Sequence, residues 1–267
     1  MASDRAVDDA ANAATRFAAL SELFDSATRR YLLDRGLSAG WRCLEVGVGS
    51  GSIARWMSDR VGAAGRVLAT DIDARFLDGL ARDNLETRRH DVAREPLPAR
   101  RFDLVHIRMV LIHLRERDDV LRRLANAVAP GGWLVCEEFD ALSMPADPDG
   151  SPGEITPETQ AAMTRVGADR GLDRRFGRLL FGRLRAFGFA DVGAEGRLSM
   201  ATAGSPMATL LEASYRLRRA EMIAGGYVTP ETFDRDLALL NDDAFMMPSP
   251  IMWTAWGRRP LESECGV

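Results

Sequence analysis

Residues 44–51 read Leu-Glu-Val-Gly-Val-Gly-Ser-Gly. The apolar run that ends at Val46 carries one acid, Glu45, and Gly47, Gly49 and Gly51 then occupy every second position. A helical pattern opens at once with Ser52-Ile53-Ala54-Arg55-Trp56-Met57. The stretch predicts a strand, a tight glycine turn and a helix. Without Cβ atoms, such a turn lets backbone come close to a ligand that sits outside the carboxyl end of the strand.

Outward from this turn, apolar strand-like runs alternate with helical patterns. The runs lie at 42–46, 66–70, 88–90, 103–107 and 133–139, and the helical patterns at 52–61, 74–84 and 118–129. Alternation with short connections predicts an α/β fold, a mostly parallel sheet with helices on both faces. Pro130-Gly131-Gly132 predicts a helix stop and a turn. Two helices are expected before the first strand, one over 4–24 and one capped by Asp25 that ends at Gly36. Residues 143–157 are rich in Pro, Gly, Asp and Ser and read as a loop. Helices are expected from Thr156-Pro157 to about 171 and over 173–187, with further strands at 189–196 and 251–257. Between those strands lie two more amphipathic patterns, 205–223 and 229–240. A connection that long, with helices of its own, predicts a cap inserted before the last strand. The expected organisation is an N-terminal helical lid at 1–40, a ligand-binding core at 41–196 and 248–260, a helical cap at 197–247 and a tail at 261–267.

Composition narrows the classes. The chain has 267 residues, 46% hydrophobic and 28% charged, with a net charge of −4. No global basic field exists to attract nucleic acid or an anionic membrane. All 35 basic residues are arginine. A phosphate-loop lysine or a Schiff-base lysine is therefore excluded, and with it the Walker-type reading of the glycines. Cys43, Cys136 and Cys265 are widely spaced, which matches neither a disulfide framework nor a zinc site. No signal core and no membrane-spanning run are evident, so the chain reads as cytoplasmic.

Three acids accompany the glycines. Asp71 lies 20 residues past Gly51, where an acid can accept both hydroxyl hydrogens of a ribose. Asp73 suits a helix cap better, which leaves Asp71 spare. Asp91, in His90-Asp91-Val92 at the end of the third run, can accept from an adenine amino group, while the next backbone N–H serves a ring nitrogen. A nicotinamide fingerprint wants Gly or Ala at its sixth position, where this chain has Ser52, so a dinucleotide oxidoreductase is the weaker reading.

The ordered set Leu-Glu-Val-Gly-Val-Gly-Ser-Gly, Thr-Asp-Ile-Asp, Arg-His-Asp-Val, Phe-Asp-Leu-Val-His-Ile-Arg and Pro-Gly-Gly-Trp-Leu, over residues 41–140, resembles the class I S-adenosylmethionine-dependent methyltransferases. Within that family the chain is similar to the small-molecule branch of ubiquinone-biosynthesis and natural-product enzymes. The resemblance implies a Rossmann-like, seven-stranded sheet whose last strand is antiparallel. It implies S-adenosyl-L-methionine as cofactor, with its methionine part on Gly47, Gly49 and Gly51. Glu45 would orient the turn near the ammonium end. Asp71 would take the ribose diol, Ile72 would pack on the adenine, and Asp91 and Val92 would read its edge. Arg108 would contribute mainly its backbone carbonyl.

Methyl transfer to a small organic acceptor needs alignment and exclusion of water, and a general base only when the acceptor carries its proton. His113, just past the fourth strand, is the candidate base. His106 lies inside an apolar run and reads as core, and His90 as structural. Phe17, Glu138 and Tyr215 are the candidate substrate contacts. Their neighbourhoods are rich in Met and Phe, which suggests an apolar acceptor. The same amphipathic surfaces could form a homodimer. No metal ligand set is evident. The cofactor could also serve a non-methylating reaction, since the motif demands no base.

Overall fold

The computed structural model describes residues 2–143 and 155–261, with side chains from Asn12 onward. Most of the expected loop at 143–157 and of the tail at 261–267 lies outside the described residues. The chain divides into two compact units. A sheet unit comprises 25–140, 175–197 and 252–267, and a helical unit comprises 1–24, 141–174 and 198–251.

The first helix, α1 (Ala2–Asp34), is continuous. The break expected at Asp25 does not occur. Residues 2–34 contain no glycine or proline, and the Asp25 carboxylate accepts from Arg108 Nη2 at 2.9 Å instead of capping a new helix. The helix stops at Gly36, whose φ of +89° suits a left-handed C-terminal residue. Leu37 N–H then returns to the Leu32 carbonyl at 3.2 Å.

In chain order the strands are β1 (Arg42–Val46), β2 (Arg66–Asp71), β3 (Leu85–Arg89), β4 (Phe102–Arg108), β5 (Val128–Asp140), β6 (Ala190–Arg197), β7 (Met200–Thr202), β8 (Met246–Pro248) and β9 (Ile251–Arg258). Seven of them form one sheet, in the order β3-β2-β1-β4-β5-β9-β6. β1 pairs in parallel with both β2 and β4, so the strand order reverses beside the glycine turn. An open sheet forms its ligand crevice outside the carboxyl ends at that point. β9 runs antiparallel to β6, as expected of the last strand.

Alternating side chains give the sheet two buried faces. Leu44, Val46, Val105 and Ile107 pack against Val120, Leu121 and Leu124 of α3 (Arg117–Ala127) and Phe176, Leu180 and Leu184 of α5 (Phe176–Ala186). Cys43, Leu104 and Val135, on the other face, meet Leu32 of α1 and Ile53, Ala54 and Met57 of α2 (Ser52–Val61).

Two local expectations are corrected. Residues 74–84 form a short 3-10 turn, Ala74–Phe76, rather than a full helix. Gly79, at φ +67°, breaks any helix there, and the chain drops Leu80 onto Gly51. β5 also begins earlier than expected, so Pro130-Gly131-Gly132 is an irregular start to the strand rather than a separate turn. The register with β4 shifts there, and a Cβ on Gly132 would sit 2.8 Å from the Asp103 carbonyl oxygen.

The helical unit holds α4 (Pro157–Asp169), α6 (Pro206–Ala224) and α7 (Pro230–Leu239). Each opens with proline preceded by a hydroxyl cap. Thr156, Ser205 and Thr229 accept from the N–H of Thr159, Ala208 and Thr232. Proline costs nothing at that position, because its missing N–H would have had no helical partner. A small pair not foreseen from the sequence, β7 with β8, joins the two ends of the 198–251 segment, with Met200 opposite Pro248.

Candidate functional site

Gly47, Gly49 and Gly51 all adopt left-handed backbone, at φ +74°, +52° and +75°. The turn is anchored from below, with Gly47 and Val48 N–H both reaching the Thr70 carbonyl at 2.8 and 3.2 Å. Protein packing also requires glycine here. A Cβ on Gly47 would lie 2.2 Å from Val110 Cγ2, and one on Gly51 2.4 Å from Leu80 Cδ2. The bare backbone that suits a ligand is thus enforced by two neighbouring side chains.

Asp71 closes β2 and holds the middle of this turn. Its Oδ2 accepts from Gly49 N–H at 3.3 Å and its Oδ1 from Asp73 N–H at 3.0 Å. Burial raises the carboxyl above its ordinary value, partly offset by these N–H donors. Asp73 caps the following 3-10 turn, as expected. Ile72, between them, is 58% exposed, an apolar side chain at the strand edge. Asp91 is engaged locally: Oδ1 accepts from Ala93 N–H at 3.0 Å and Oδ2 pairs with Arg94 at 3.5 Å. Val92 is buried in the α3-side core.

Past β4, Met109 has a φ of +57°, a strained conformation for a residue with a side chain. The strain turns the chain so that three successive N–H groups meet one carboxyl oxygen. Glu138 Oε1 accepts from Val110, Leu111 and Ile112 at 2.9, 2.6 and 3.3 Å. Glu138, proposed from the sequence as a substrate contact, is fully buried and positions this loop, and with it the Val110 wall of the glycine turn. His113 ends the 3-10 turn 111–113 with its side chain exposed.

Burial pushes Glu138 from an ordinary value near 4.5 up to about 8, against the three N–H donors. Between those values the unfolded chain loses the proton while the folded chain keeps it, so native stability falls as pH rises from about 4.5 to 8. Glu138→Gln should remove that contribution to the slope, which denaturant melts across this pH range would read.

Beneath the turn, a buried polar chain runs across the sheet. Register places Glu45 opposite His106 and Arg108 opposite Glu137. The His106 ring donates from Nδ1 to Glu45 Oε2 at 2.6 Å and from Nε2 to Glu137 Oε2 at 3.2 Å. Glu137 also accepts from the hydroxyls of Thr28 and Thr254, the latter at 2.7 Å. Arg108 donates to Thr28 Oγ1 and Asp25 Oδ1, both at 2.9 Å, so its guanidinium joins α1 to the sheet. Burial favours a neutral imidazole, but Glu45 and Glu137 outweigh it and push His106 up to about 9. Burial works against Glu137 too, yet His106, Arg108 and Thr28 hold it at about 2.

Sequence reading placed His106 in the core and missed its two acidic partners. The signal was present: Glu45, His106 and the Glu137-Glu138 pair are polar residues inside three apolar runs, and a β1-β4-β5 sheet makes those runs neighbours. In the helical unit, Tyr215 is buried among Ile155, Phe233, Leu237 and Leu240, and Phe17 lies half-buried on α1. Among the described residues no group of three or more His, Cys, Asp or Glu side chains is arranged to hold a metal, and no helix is long and apolar enough to cross a membrane.

A family profile described as a methyltransferase domain matches residues 13–187. The ubiquinone/menaquinone biosynthesis C-methyltransferase UbiE of Laribacter hongkongensis is 31% identical over 120 residues, 42% of this chain and 49% of that protein. Methyltransferase str3 of Strobilurus tenacellus is 35% identical over 149 residues, 54% of this chain and 51% of that protein. The chain spans about half the length of the curated relatives it matches. Among solved structures, phosphoethanolamine N-methyltransferase 2 of Haemonchus contortus, in complex with S-adenosyl-L-methionine, has a TM-score of 0.53 at 16% identity over 84% of this chain and 50% of that one. That likeness is one of fold, while the profile runs over well over half of the sequence: the chain belongs to the methyltransferase-domain family.

Proposed function

We propose that the chain binds S-adenosyl-L-methionine at the carboxyl edge of β1, β2 and β3 and transfers its methyl group to a small organic acceptor. The observation that carries this reading is the left-handed glycine turn tied through Gly49 to Asp71, with Ile72 exposed beside it. The residues fit the cofactor. The turn offers backbone without side chains, Asp71 offers a carboxylate for a ribose diol, and Ile72 offers an apolar face for a purine. Glu45 faces the ammonium end in this reading, Asp91 and the Val92 N–H serve the adenine edge, and the Arg108 carbonyl lines the site.

When bound, the cofactor supplies a methyl group already activated on a sulfonium. The protein's own contribution is then to align the acceptor and exclude water. His113 is exposed just past β4, where its ring can take a proton from an acceptor hydroxyl or amine. With a net charge of −4, the chain suits a small-molecule acceptor better than nucleic acid. We read the protein as cytoplasmic.

The expected result is micromolar binding of S-adenosylhomocysteine by calorimetry, and transfer of labelled methyl from S-adenosylmethionine to members of an apolar phenol and quinol panel. Binding without transfer to any acceptor would favour a non-methylating reaction that uses the same cofactor. Saturation by NADH with no binding of S-adenosylhomocysteine would overturn the reading in favour of an oxidoreductase.

A further inference from the structure

We propose that His106 is a positioning residue for the cofactor's ammonium group: held between Glu45 and Glu137, it turns the Glu45 carboxylate so that one oxygen remains for that ammonium. The proposal rests on the S-adenosylmethionine reading above. No chemistry at the transferred methyl requires His106, which lies inside β4 with no exposure at all.

Three observations carry it. First, both ring nitrogens of His106 face carboxylate oxygens, at 2.6 and 3.2 Å, an arrangement that a ring protonated on both nitrogens satisfies by donating to each. Two carboxylates and one imidazolium leave the trio with one net negative charge. Second, Glu45 retains 4% exposure where His106 and Glu137 have none. It is the member of the trio that reaches out, two residues before the glycine turn. Among the described residues its Oε2 is taken by His106 and its Oε1 receives no hydrogen bond. Third, Glu137 is fixed independently, by Thr28 on α1 and Thr254 on β9, so the ring has a rigid support on the side away from Glu45.

With His106→Gln, Glu137 keeps its hydroxyl donors Thr28 and Thr254 and the nearby Arg197 guanidinium, 3.6 Å away. Glu45 loses the imidazolium, its one ion-pair partner among the described residues, and with it the contact that turns its carboxylate. The carboxylate is then no longer held in place for an ammonium group, while the ribose and adenine contacts proposed at Asp71, Ile72 and Asp91 are untouched.

The test compares two ligands that share the adenosine part. S-Adenosylhomocysteine carries the amino-acid end, and 5′-methylthioadenosine lacks it. Calorimetry on His106→Gln should show S-adenosylhomocysteine weakened about tenfold to a hundredfold, the scale of one charge-assisted hydrogen bond. Affinity for 5′-methylthioadenosine should stay within about twofold of the unmutated protein. Equal weakening of both ligands would mean that His106 only supports the sheet, and no change in either would mean it does nothing for the site; each result overturns the proposal. An unmutated protein that binds neither ligand overturns the cofactor reading instead. If His106→Gln does not fold, ring nitrogen NMR shifts of His106 in the unmutated protein decide the matter. An imidazolium at neutral pH that shifts with S-adenosylhomocysteine and not with 5′-methylthioadenosine supports the proposal. A neutral ring, or equal shifts with both ligands, overturns it.

Discussion

Asp71→Ala is expected to weaken S-adenosylhomocysteine binding by about a hundredfold or more, while the protein stays folded. In the proposed site one carboxylate accepts two ribose hydroxyls. Hydrogen bonds to a charged acceptor contribute about 1.5–3 kcal/mol each, so losing the pair costs about 3 kcal/mol at least. A second effect adds to the first. Asp71 Oδ2 also holds Gly49 N–H at 3.3 Å, and alanine frees the middle of the turn that receives the methionine end. Global stability should change little, because burial already raises the Asp71 carboxyl and its removal relieves that cost. Asp71→Asn, which keeps an acceptor oxygen but not the charge, should fall between the two proteins. Calorimetry paired with a denaturant melt separates binding from folding. Tight binding by a folded Asp71→Ala protein would remove Asp71 from the site.

Gly47→Ala is expected to act on stability first, with a loss of about 2–5 kcal/mol. A left-handed backbone costs a residue with a Cβ about 1–2 kcal/mol. Overpacking adds about 1–3 kcal/mol, since the new methyl would lie 2.2 Å from Val110 Cγ2. Val110 cannot easily withdraw, because its N–H is held by Glu138 Oε1 at 2.9 Å and the preceding Met109 is already strained. The double variant Gly47→Ala/Val110→Ala should recover the packing part and leave the backbone part. Urea melts of both proteins measure this partition, and a single variant as stable as the unmutated protein would show that the turn is not constrained in this way.

The alternation of apolar runs and helical patterns made the parallel sheet legible, the Thr156-Pro157 start made α4 legible, and amphipathic spacing made α6 and α7 legible. The errors have common causes. At 74–84 the helical spacing was real, but the pull of Leu80 toward Gly51 and the left-handed Gly79 won over local periodicity. At Asp25 a good cap residue was taken by Arg108, a partner 83 residues away. At Arg108 the sequence points to a backbone carbonyl, while the side chain ties α1 to the sheet.

By itself the sequence determined the strand–turn–helix at 42–61 and the acids at the ends of the second and third strands. These are set by local rules: glycine for left-handed backbone, alternation for strands, and chain spacing for which residue ends a strand. Only the tertiary structure decided what lies beneath and beside the turn. The trio Glu45, His106 and Glu137 exists because three strands far apart in sequence are neighbours in one sheet with that register. Glu138 reaches three N–H groups because Met109 folds the loop back over the end of β5. Pairing across strands and the burial of charge depend on which segments meet, and that is a property of the whole fold rather than of any stretch within it.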